Sequence, residues 1–305
     1  MNNNTRTQEV FLKEQYGFVP QHTRKITRGV MNSNFYFESS GKPYLFKVYN
    51  FKSQEEVGFE TEVLERLKQK SFPAPRIVAN REKHLLALYR GKPALVYKYR
   101  EGMPLKEITH KAMRQIGALK GEMHAILGDF KPSIQKPRWD YGEIKTLIRK
   151  EGHRLIDGGF PGAQELLDFL KQELATISIP EDSLPRGVTH QDIKPDNIIT
   201  KGRNVVGFVD FDNSYHGVLL HDITTTIIWM CFKKGVLDGR LVSAFLKGYG
   251  EERPLSEAEK ENLPNAIRFR LLREAFIGPF VTLHKPRLSK KRSDYFLALY
   301  NNLHE

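Results

Sequence analysis

The sequence predicts an α+β protein with two lobes, in which a small, mostly antiparallel sheet with one helix precedes a larger, mainly helical lobe. In the first third of the 305 residues, aromatic-rich runs alternate with short turn-forming segments, which is typical of β-hairpins. From Gly102 onward, apolar residues recur at the spacing of amphipathic helices. This change predicts an N-terminal lobe at 1–96, a hinge at 97–101 and a C-terminal lobe at 102–305.

Two β-hairpins are expected in the N-terminal lobe. The first joins 34–38 to 43–49, and the second joins 84–89 to 94–99, each through a turn that contains glycine. The first ten residues are predicted to form a loose arm.

One helix is expected between the hairpins, starting at Ser53, because Ser53 and Glu56 have the spacing of a capping box. The apolar stripe of this helix consists of Val57, Leu64 and Leu67. Glu60 falls on the same stripe, and an acid on a buried face needs a partner. Lys47, in the strand just before the helix, is the candidate partner. The alternative is that Glu60 lies at the edge of the stripe and reaches solvent.

Composition narrows the classes of function. The formal net charge is +12, but lysine and arginine are spread along the chain, so a nucleic-acid partner is not expected. A nucleotide triphosphate is also anionic and suits this charge. The N-terminus lacks the pattern of a signal peptide, and the most apolar run, 223–232, is too short to cross a membrane, which favours a cytoplasmic protein without membrane contact. Cys231, the single cysteine, is interpreted as a buried apolar thiol, and 285–293 as a solvated basic loop.

The most informative stretch is 186–222, where polar residues follow short β-prone runs. Asp192 and Asn197 stand in the pattern H-x-D-x4-N, which starts at His190, and Asp210 follows thirteen residues after Asn197. Phosphoryl transfer needs a carboxylate to receive the hydroxyl proton, oxygen ligands for magnesium and a cation on the phosphates. These residues provide the carboxylates and the amide for such a site.

This stretch resembles the aminoglycoside phosphotransferase and choline kinase superfamily, which has the eukaryotic protein-kinase-like fold. Asp210-Phe211-Asp212 stands where protein kinases have D-F-G, and no A-P-E follows. Asp222 comes only twelve residues after Asp210, which leaves no room for an activation loop. The resemblance covers nearly the whole chain and implies a small-molecule kinase that uses ATP and Mg²⁺.

The resemblance also implies roles for individual residues. Asp192 is expected to be the catalytic base, with Lys194 near the transferred phosphate, while Asn197 and Asp210 bind magnesium. Lys47 is expected on the α- and β-phosphates, held by Glu60. The remaining residues expected at the nucleotide are Asn32, Ser33 and Asn34 in the phosphate-covering loop, and Tyr97 and Tyr99, whose backbone would face the adenine. His190 and Asp222 are expected to support the catalytic loop from inside.

Three short segments are similar to bacterial homoserine kinases of this superfamily. They are the G-x-x-N-[ST]-N pattern from Gly29 to Asn34, L-P-x-G at 184–187, and the D-F-x-x-x segment that leads from Asp210 to Asp222. The acceptor is therefore expected to be a small metabolite with a hydroxyl, such as homoserine, an amino alcohol or a sugar.

The residues expected to line the acceptor pocket are Asp212, Tyr215, Trp229, Arg270 and Arg273. A basic pair such as Arg270 and Arg273 would suit an acceptor with a carboxylate or phosphate. Three alternatives stay open at this point: an antibiotic phosphotransferase of the aminoglycoside type, a nucleotide-binding pseudokinase or regulatory module, and a protein kinase. The oligomeric state and the preference between ATP and GTP are also open.

Overall fold

An antiparallel sheet with two helices forms the first third of the chain. The computed structural model describes residues 3–26, 31–136, 139–282 and 286–303. The elements up to the second lobe are α1 (Asn3–Tyr16), β1 (Gln21–Ile26), β2 (Asn32–Ser39), β3 (Lys42–Tyr49), α2 (Gln54–Gln69), β4 (Arg76–Ile77), β5 (Ala87–Tyr89), β6 (Lys92–Lys98) and β7 (Met103–Pro104). The strand order is β1-β2-β3-β6-β4, with β5 beside β6.

Both predicted hairpins are present, with one change of boundary. Strands β2 and β3 pair in register, with Asn34 opposite Lys47. In the second hairpin, β5 begins at Ala87 and not at residue 84. The reason is a turn held by Asn80, whose side-chain oxygen accepts the backbone N–H groups of Glu82 at 3.0 Å and His84 at 2.9 Å.

Helix α2 begins as the sequence predicts. The Ser53 hydroxyl accepts the N–H of Glu56, and the Glu56 carboxylate accepts the N–H of Ser53, so the capping box is complete. The predicted stripe of Val57, Leu64 and Leu67 is buried, and Glu60 is buried with it at 2% exposure.

The prediction of a loose N-terminal arm is wrong, because residues 3–16 form helix α1. Leu12 is 1% exposed and packs with Phe37 and Phe46 of the sheet. The ring of Phe11 lies 5.6 Å from that of Phe46 and 5.1 Å from that of Tyr89. This helix is stabilised by packing on the sheet, which propensity and capping signals do not report.

The rest of the chain is mainly helical and contains four short strand pairings. Its helices are α3 (His110–Leu127), α4 (Tyr141–Glu151), α5 (His153–Asp157), α6 (Ala163–Thr176), α7 (Leu219–Met230), α8 (Gly239–Glu252), α9 (Glu257–Val281) and α10 (Pro286–Asn301). Its strands are β8 (Arg186–Thr189), β9 (Ile198–Lys201), β10 (Asn204–Phe208), β11 (Tyr215–Val218), β12 (Phe232–Lys233) and β13 (Val236–Leu237). The α+β, kinase-like architecture is thereby confirmed.

Two small sheets carry the stretch 186–222. Strand β8 pairs with β11, while β9 pairs with both β10 and β7. The polar residues predicted to be functional therefore lie next to the ends of short strands: Asp192 after β8, Asn197 directly before β9 and Asp210 after β10. The lobe boundary at 97–101 stays a prediction. Among the described residues, no helix is both long and apolar enough to cross a membrane.

The prediction of a basic loop at 285–293 is also wrong. Residue 285 lies outside the described residues, and 286–293 form the start of α10. Ser289 and Ser293 are each 1% exposed. Basic residues are frequent at the start of this helix, so the sequence shows no clear apolar stripe there. One face of the helix is nevertheless buried.

Helices α3 and α8 cross at close range because glycines face each other at the crossing. A Cβ atom at Gly248 of α8 would overlap the backbone carbonyl of Arg114 of α3, and one at Gly117 would overlap that of Phe245. Only glycine allows the two backbones to approach this closely. The crossing fixes the position of α3 against α8.

We expect Gly248→Ala to lower the free energy of unfolding by about 1–3 kcal/mol, because the added methyl group must force the two helices apart. Gly250→Ala is the matched control on the same helix, since a Cβ there meets no atom within 4 Å. The control should instead raise the free energy of unfolding by about 0.5–1 kcal/mol, because alanine favours a helix. Urea denaturation of both variants measures the difference, and equal stabilities would contradict the close crossing.

Candidate functional site

The predicted catalytic loop, residues 190–197, is held in place by hydrogen bonds to the buried carboxylate of Asp222. That carboxylate accepts the backbone N–H groups of His190 at 2.9 Å and Gln191 at 2.8 Å. It also pairs with Lys120 at 3.0 Å and with His124 at 2.9 Å. Burial alone would raise the pKa of Asp222, but Lys120 and His124 hold it well below its usual range. The loop is therefore fixed by an ionised group that lies inside the protein.

His190 connects this loop to the end of β10. Its Nε2 lies 3.1 Å from the carbonyl oxygen of Val209, and its Nδ1 accepts the N–H of Asp192 at 3.3 Å. Burial lowers the pKa of His190 to about 4, so the ring is neutral at pH 7. These contacts agree with the supporting role expected for His190 and Asp222.

The predicted residues Asp192, Lys194 and Asn197 are brought together. The Lys194 ammonium donates to both carboxylate oxygens of Asp192, at 2.9 and 2.8 Å. The Asn197 amide nitrogen donates to the same carboxylate at 2.9 Å and to the Asp192 carbonyl at 2.8 Å. Burial raises the pKa of Asp192 to about 6, although Lys194 opposes the rise. A carboxylate with this pKa suits a general base at neutral pH.

Asp210 stands at the end of β10 in a left-handed backbone conformation, with φ of +69°. Such a conformation is uncommon for residues other than glycine, although aspartate adopts it more readily than most. The Asp210 side chain is 40% exposed, and its Oδ1 accepts the Lys47 ammonium at 2.6 Å. Lys47 also pairs with Asp212 at 3.2 Å. Lys47 thus joins the N-terminal sheet to the segment that follows β10.

The predicted ion pair between Lys47 and Glu60 is not the contact that the structure contains. The carboxylate of Glu60 accepts the phenol groups of Tyr49 and Tyr97, each at 2.8 Å. Its pKa is raised by burial and lowered by the charge of Lys47, so the two residues interact through space without a direct hydrogen bond. Tyr49 was missed, although alternation along β3 places it on the same face as Lys47.

Asp212 lies on the Lys47 side of the site and not with the other predicted acceptor residues. Its carboxylate accepts the amide nitrogen of Asn32 at 2.7 Å. Its carbonyl oxygen accepts two lysine ammonium groups that the sequence did not single out, Lys52 at 2.7 Å and Lys136 at 2.9 Å. Burial would raise the pKa of Asp212, but Lys47 and Lys52 lower it to about 2. Lys136 comes from the segment before α4, which has no pattern that predicts a site.

The other residues expected at the nucleotide have these positions. The Ser33 hydroxyl accepts the Asn50 amide at 3.2 Å, and the buried Asn34 side-chain oxygen has no hydrogen-bond partner among the described residues. The Tyr97 phenol donates a hydrogen bond to Glu60 of α2, as described above. The Tyr99 backbone N–H donates to the Pro43 carbonyl at 3.1 Å, while its ring is 37% exposed. Gly29, the first residue of the predicted phosphate-covering loop, lies outside the described residues.

Three of the residues expected at the acceptor lie in the interior. Tyr215 is 1% exposed, and its phenol donates to Asp140 at 3.0 Å. Arg270 is also 1% exposed and donates to the side-chain and backbone oxygens of Gln191, at 2.5 and 3.1 Å. Arg273 is 6% exposed and donates to the Trp139 carbonyl at 3.1 Å. In this arrangement they make interior hydrogen bonds, and Arg270 contacts the loop that carries Asp192.

Trp229 is half-buried and lies next to the catalytic loop. Its ring centroid is 5.8 Å from the Lys194 ammonium. On the same ring lies Arg292, a residue of α10 that was not singled out, with its guanidinium carbon 5.5 Å from the centroid. Two cations therefore lie near the ring of Trp229, and one of them binds Asp192.

Comparisons with known proteins agree with this geometry. The family described as "Phosphotransferase enzyme family" matches residues 22–258. A homoserine kinase from Brucella ovis is 29% identical over 259 residues, which cover 81% of this chain and 77% of that protein. A homoserine kinase from Neisseria meningitidis serogroup B is 28% identical over 263 residues, which cover 86% and 84%.

A solved structure of the amicoumacin kinase hAmiN, in complex with AMP-PNP, Ca²⁺ and Ami, has the same fold, with a TM-score of 0.74. It is 17% identical, and the match covers 99% of this chain and 94% of that chain. The resemblance to this superfamily is confirmed, and so is the prediction of an ATP-dependent phosphotransferase that acts on a hydroxyl group.

The raised pKa of Asp192 predicts how the reaction depends on pH. A base must be deprotonated, so kcat/KM should rise with pH through about 6 and then level off. Lys194→Met removes the cation that opposes the raised pKa, and this should move the rise to higher pH. Lys201→Met, on an exposed lysine of β9, is the control and should leave the profile in place. A profile that does not move in Lys194→Met would contradict the coupling between Lys194 and Asp192.

Proposed function

The chain belongs to the phosphotransferase enzyme family, and on that premise we propose that it transfers the γ-phosphate of ATP to the side-chain hydroxyl of homoserine. The observation that carries the proposal is the carboxylate of Asp192, held between Lys194 and Asn197 with its pKa raised to about 6. In this role Asp192 accepts the hydroxyl proton, and Lys194 stabilises negative charge beside it.

The phosphates of ATP are proposed to lie along Lys47, with Asn32, Ser33 and Asn34 above them and the backbone of Tyr97 and Tyr99 facing the adenine. Lys47 is 5% exposed, and its ammonium faces two carboxylates. A cation held at that point can bind phosphate oxygens once the nucleotide enters.

Asn197 and Asp210 would hold the magnesium ion. The amide nitrogen of Asn197 is fixed on Asp192, which leaves its side-chain oxygen for a metal, and the Asp210 carboxylate is partly exposed. Amide and carboxylate oxygens are ligands that magnesium prefers. When bound, the ion neutralises charge on the phosphates.

The choice of homoserine among hydroxyl acceptors rests on two observations. Both curated relatives described above are homoserine kinases. In addition, Arg270, Arg273 and Arg292 gather around one carboxylate, Glu274, close to the catalytic loop. The excess positive charge of this cluster, of which Arg292 is the exposed member, favours an acceptor with a carboxylate and disfavours a polycation such as an aminoglycoside.

The alternatives of another class receive less support. A pseudokinase would not need a base with a raised pKa next to two candidate metal ligands. In a protein kinase, a long activation loop would follow Asp210. Here a 3-10 turn (Phe211–Asn213), then β11, then α7 with Asp222 follow at once.

The proposed function is tested by an acceptor screen with ATP and Mg²⁺. The panel contains L-homoserine, L-serine, L-threonine, 3-amino-1-propanol, choline and kanamycin. We expect kcat/KM to be highest for L-homoserine, because its hydroxyl and carboxylate match the two sides of the site. A higher value for choline or kanamycin would assign the protein to another acceptor class.

The role of Asp192 is tested by Asp192→Asn, which keeps the shape of the side chain. Loss of the base is expected to lower kcat by about 10²–10⁴-fold. The affinity for ATP, measured by calorimetry, should stay near that of the wild type because Lys47 and the other nucleotide residues are unchanged. Asp196→Asn, on an acidic residue of the same loop outside the proposed site, is the control. Activity retained in Asp192→Asn would remove this residue as the base.

A further inference from the structure

Glu274 of α9 is shared by three arginines. Its carboxylate lies 3.0 Å from Arg270, 2.6 Å from Arg273 and 2.6 Å from Arg292. Its side chain is 4% exposed, and the arginines lower its pKa to about 2 although burial would raise it. One carboxylate therefore faces three guanidinium groups, and the cluster carries an excess of positive charge.

Of these three arginines, Arg292 is the one with a substantially exposed side chain. The side chains of Arg270 and Arg273 are 1% and 7% exposed, whereas that of Arg292 is 41% exposed. Among the described residues, Arg292 makes one hydrogen bond, which it donates to Glu274 at 2.6 Å. The other donors of its guanidinium fork are left for a ligand.

Packing holds the Arg292 side chain in place. Its guanidinium carbon lies 5.5 Å from the ring centroid of Trp229 and 5.9 Å from that of Phe296. The side chain also crosses Gly278 of α9, where an added Cβ would lie only 2.8 Å from its Cδ. An arginine fixed by an ion pair and by aromatic rings loses little freedom when it binds an anion.

Arg292 is also near the transfer site. Lys194, which binds Asp192 at 2.8 Å, lies over the same Trp229 ring at 5.8 Å. Burial and, to a smaller extent, the charge of Arg292 lower the pKa of Lys194, but Asp192 and Asp210 raise it more, so the net shift is upward. On the interior side, Arg270 binds Gln191, the neighbour of Asp192.

We propose that Arg292 binds the carboxylate of the acceptor, with Glu274 orienting the guanidinium and Trp229 forming the floor between it and Asp192. The inference rests on the proposed function and adds the residue that selects acceptors with a carboxylate. A hydroxy amino acid has its hydroxyl and its carboxylate at opposite ends. The hydroxyl can therefore reach Asp192 while the carboxylate reaches Arg292.

The test compares L-homoserine with 3-amino-1-propanol, which has the same hydroxyl and amine but no carboxylate. Binding is measured by calorimetry in the presence of a non-hydrolysable ATP analogue, and turnover by steady-state kinetics. The variants are Arg292→Met and Arg292→Lys. The control is Lys290→Met, because Lys290 also lies on α10, is 41% exposed and is paired, with Asp294, at 2.6 Å.

Arg292→Met should weaken homoserine binding and raise its KM by about 10- to 100-fold, as expected for the loss of a charge-assisted contact. Its KM for ATP and its kcat/KM for 3-amino-1-propanol should change less than about threefold, which is smaller than the change that the loss of a single contact causes. Arg292→Lys should fall between wild type and Arg292→Met, because it keeps the charge and loses the fork. Lys290→Met should behave as wild type.

Gly278→Ala gives an independent route, since the methyl group displaces the Arg292 side chain without removing it. It should raise the KM for homoserine and spare that for 3-amino-1-propanol. This variant and Arg292→Lys keep the test decisive if Arg292→Met does not fold.

The proposal is overturned if folded variants lose both acceptors equally, if they bind homoserine as wild type does, or if the wild type prefers 3-amino-1-propanol. Homoserine phosphorylation that does not depend on Arg292 would overturn this inference and leave the proposed function in place. If homoserine binds in a manner that depends on Arg292 but is not phosphorylated, the proposed function is overturned and this inference stands. Absence of both binding and turnover would overturn both.

Discussion

The buried ion cluster around Asp222 is the constraint on which the site depends. A carboxylate inside a protein is costly unless charges and hydrogen bonds compensate it, and Asp222 has Lys120, His124 and two backbone N–H groups as partners. Because two of these partners come from α3, the glycine crossing of α3 and α8 helps to set where the catalytic loop lies. Removing one partner would leave charge uncompensated in the core, so the cluster specifies a single position for the loop.

The N-terminal sheet is coupled to that loop mainly through Lys47. Its two carboxylate partners, Asp210 and Asp212, follow β10, and β10 pairs with the strand that leaves the catalytic loop. Glu60 contributes from a distance: two phenol groups satisfy its hydrogen bonds, while its charge still favours the ammonium form of Lys47. Lys47, the cation proposed to bind the phosphates, is thus placed by a network of tyrosines and acids and not by a single ion pair.

A feature could be predicted from the sequence when the residues that form it lie close together in the chain. The capping box at Ser53 and the set Asp192, Lys194 and Asn197 each lie within a few residues, so spacing was enough to predict them. The phenol of Tyr97 on Glu60 depends on how β6 pairs with β3, and Arg292 contacts Glu274 and Trp229 only because α10 packs on α9. Helix α1 was missed for the same reason, since its stability comes from packing on the sheet. Local signals do not contain these long-range contacts.

The charges around the proposed transfer site fall into two groups. On one side, lysines from three different segments converge on Asp212, with Asp210 alongside; on the other, three arginines surround Glu274. The three lysines are matched by three contacting carboxylates, those of Asp210, Asp212 and Glu56, whereas the three arginines share the carboxylate of Glu274. A surplus of like charge, as at Glu274, is costly until an anion enters. The lysine side suits the phosphates of a nucleotide, and the arginine side suits a carboxylate. The formal charge of +12 therefore includes a local surplus at the arginine cluster, and the carboxylate of the proposed acceptor would neutralise it.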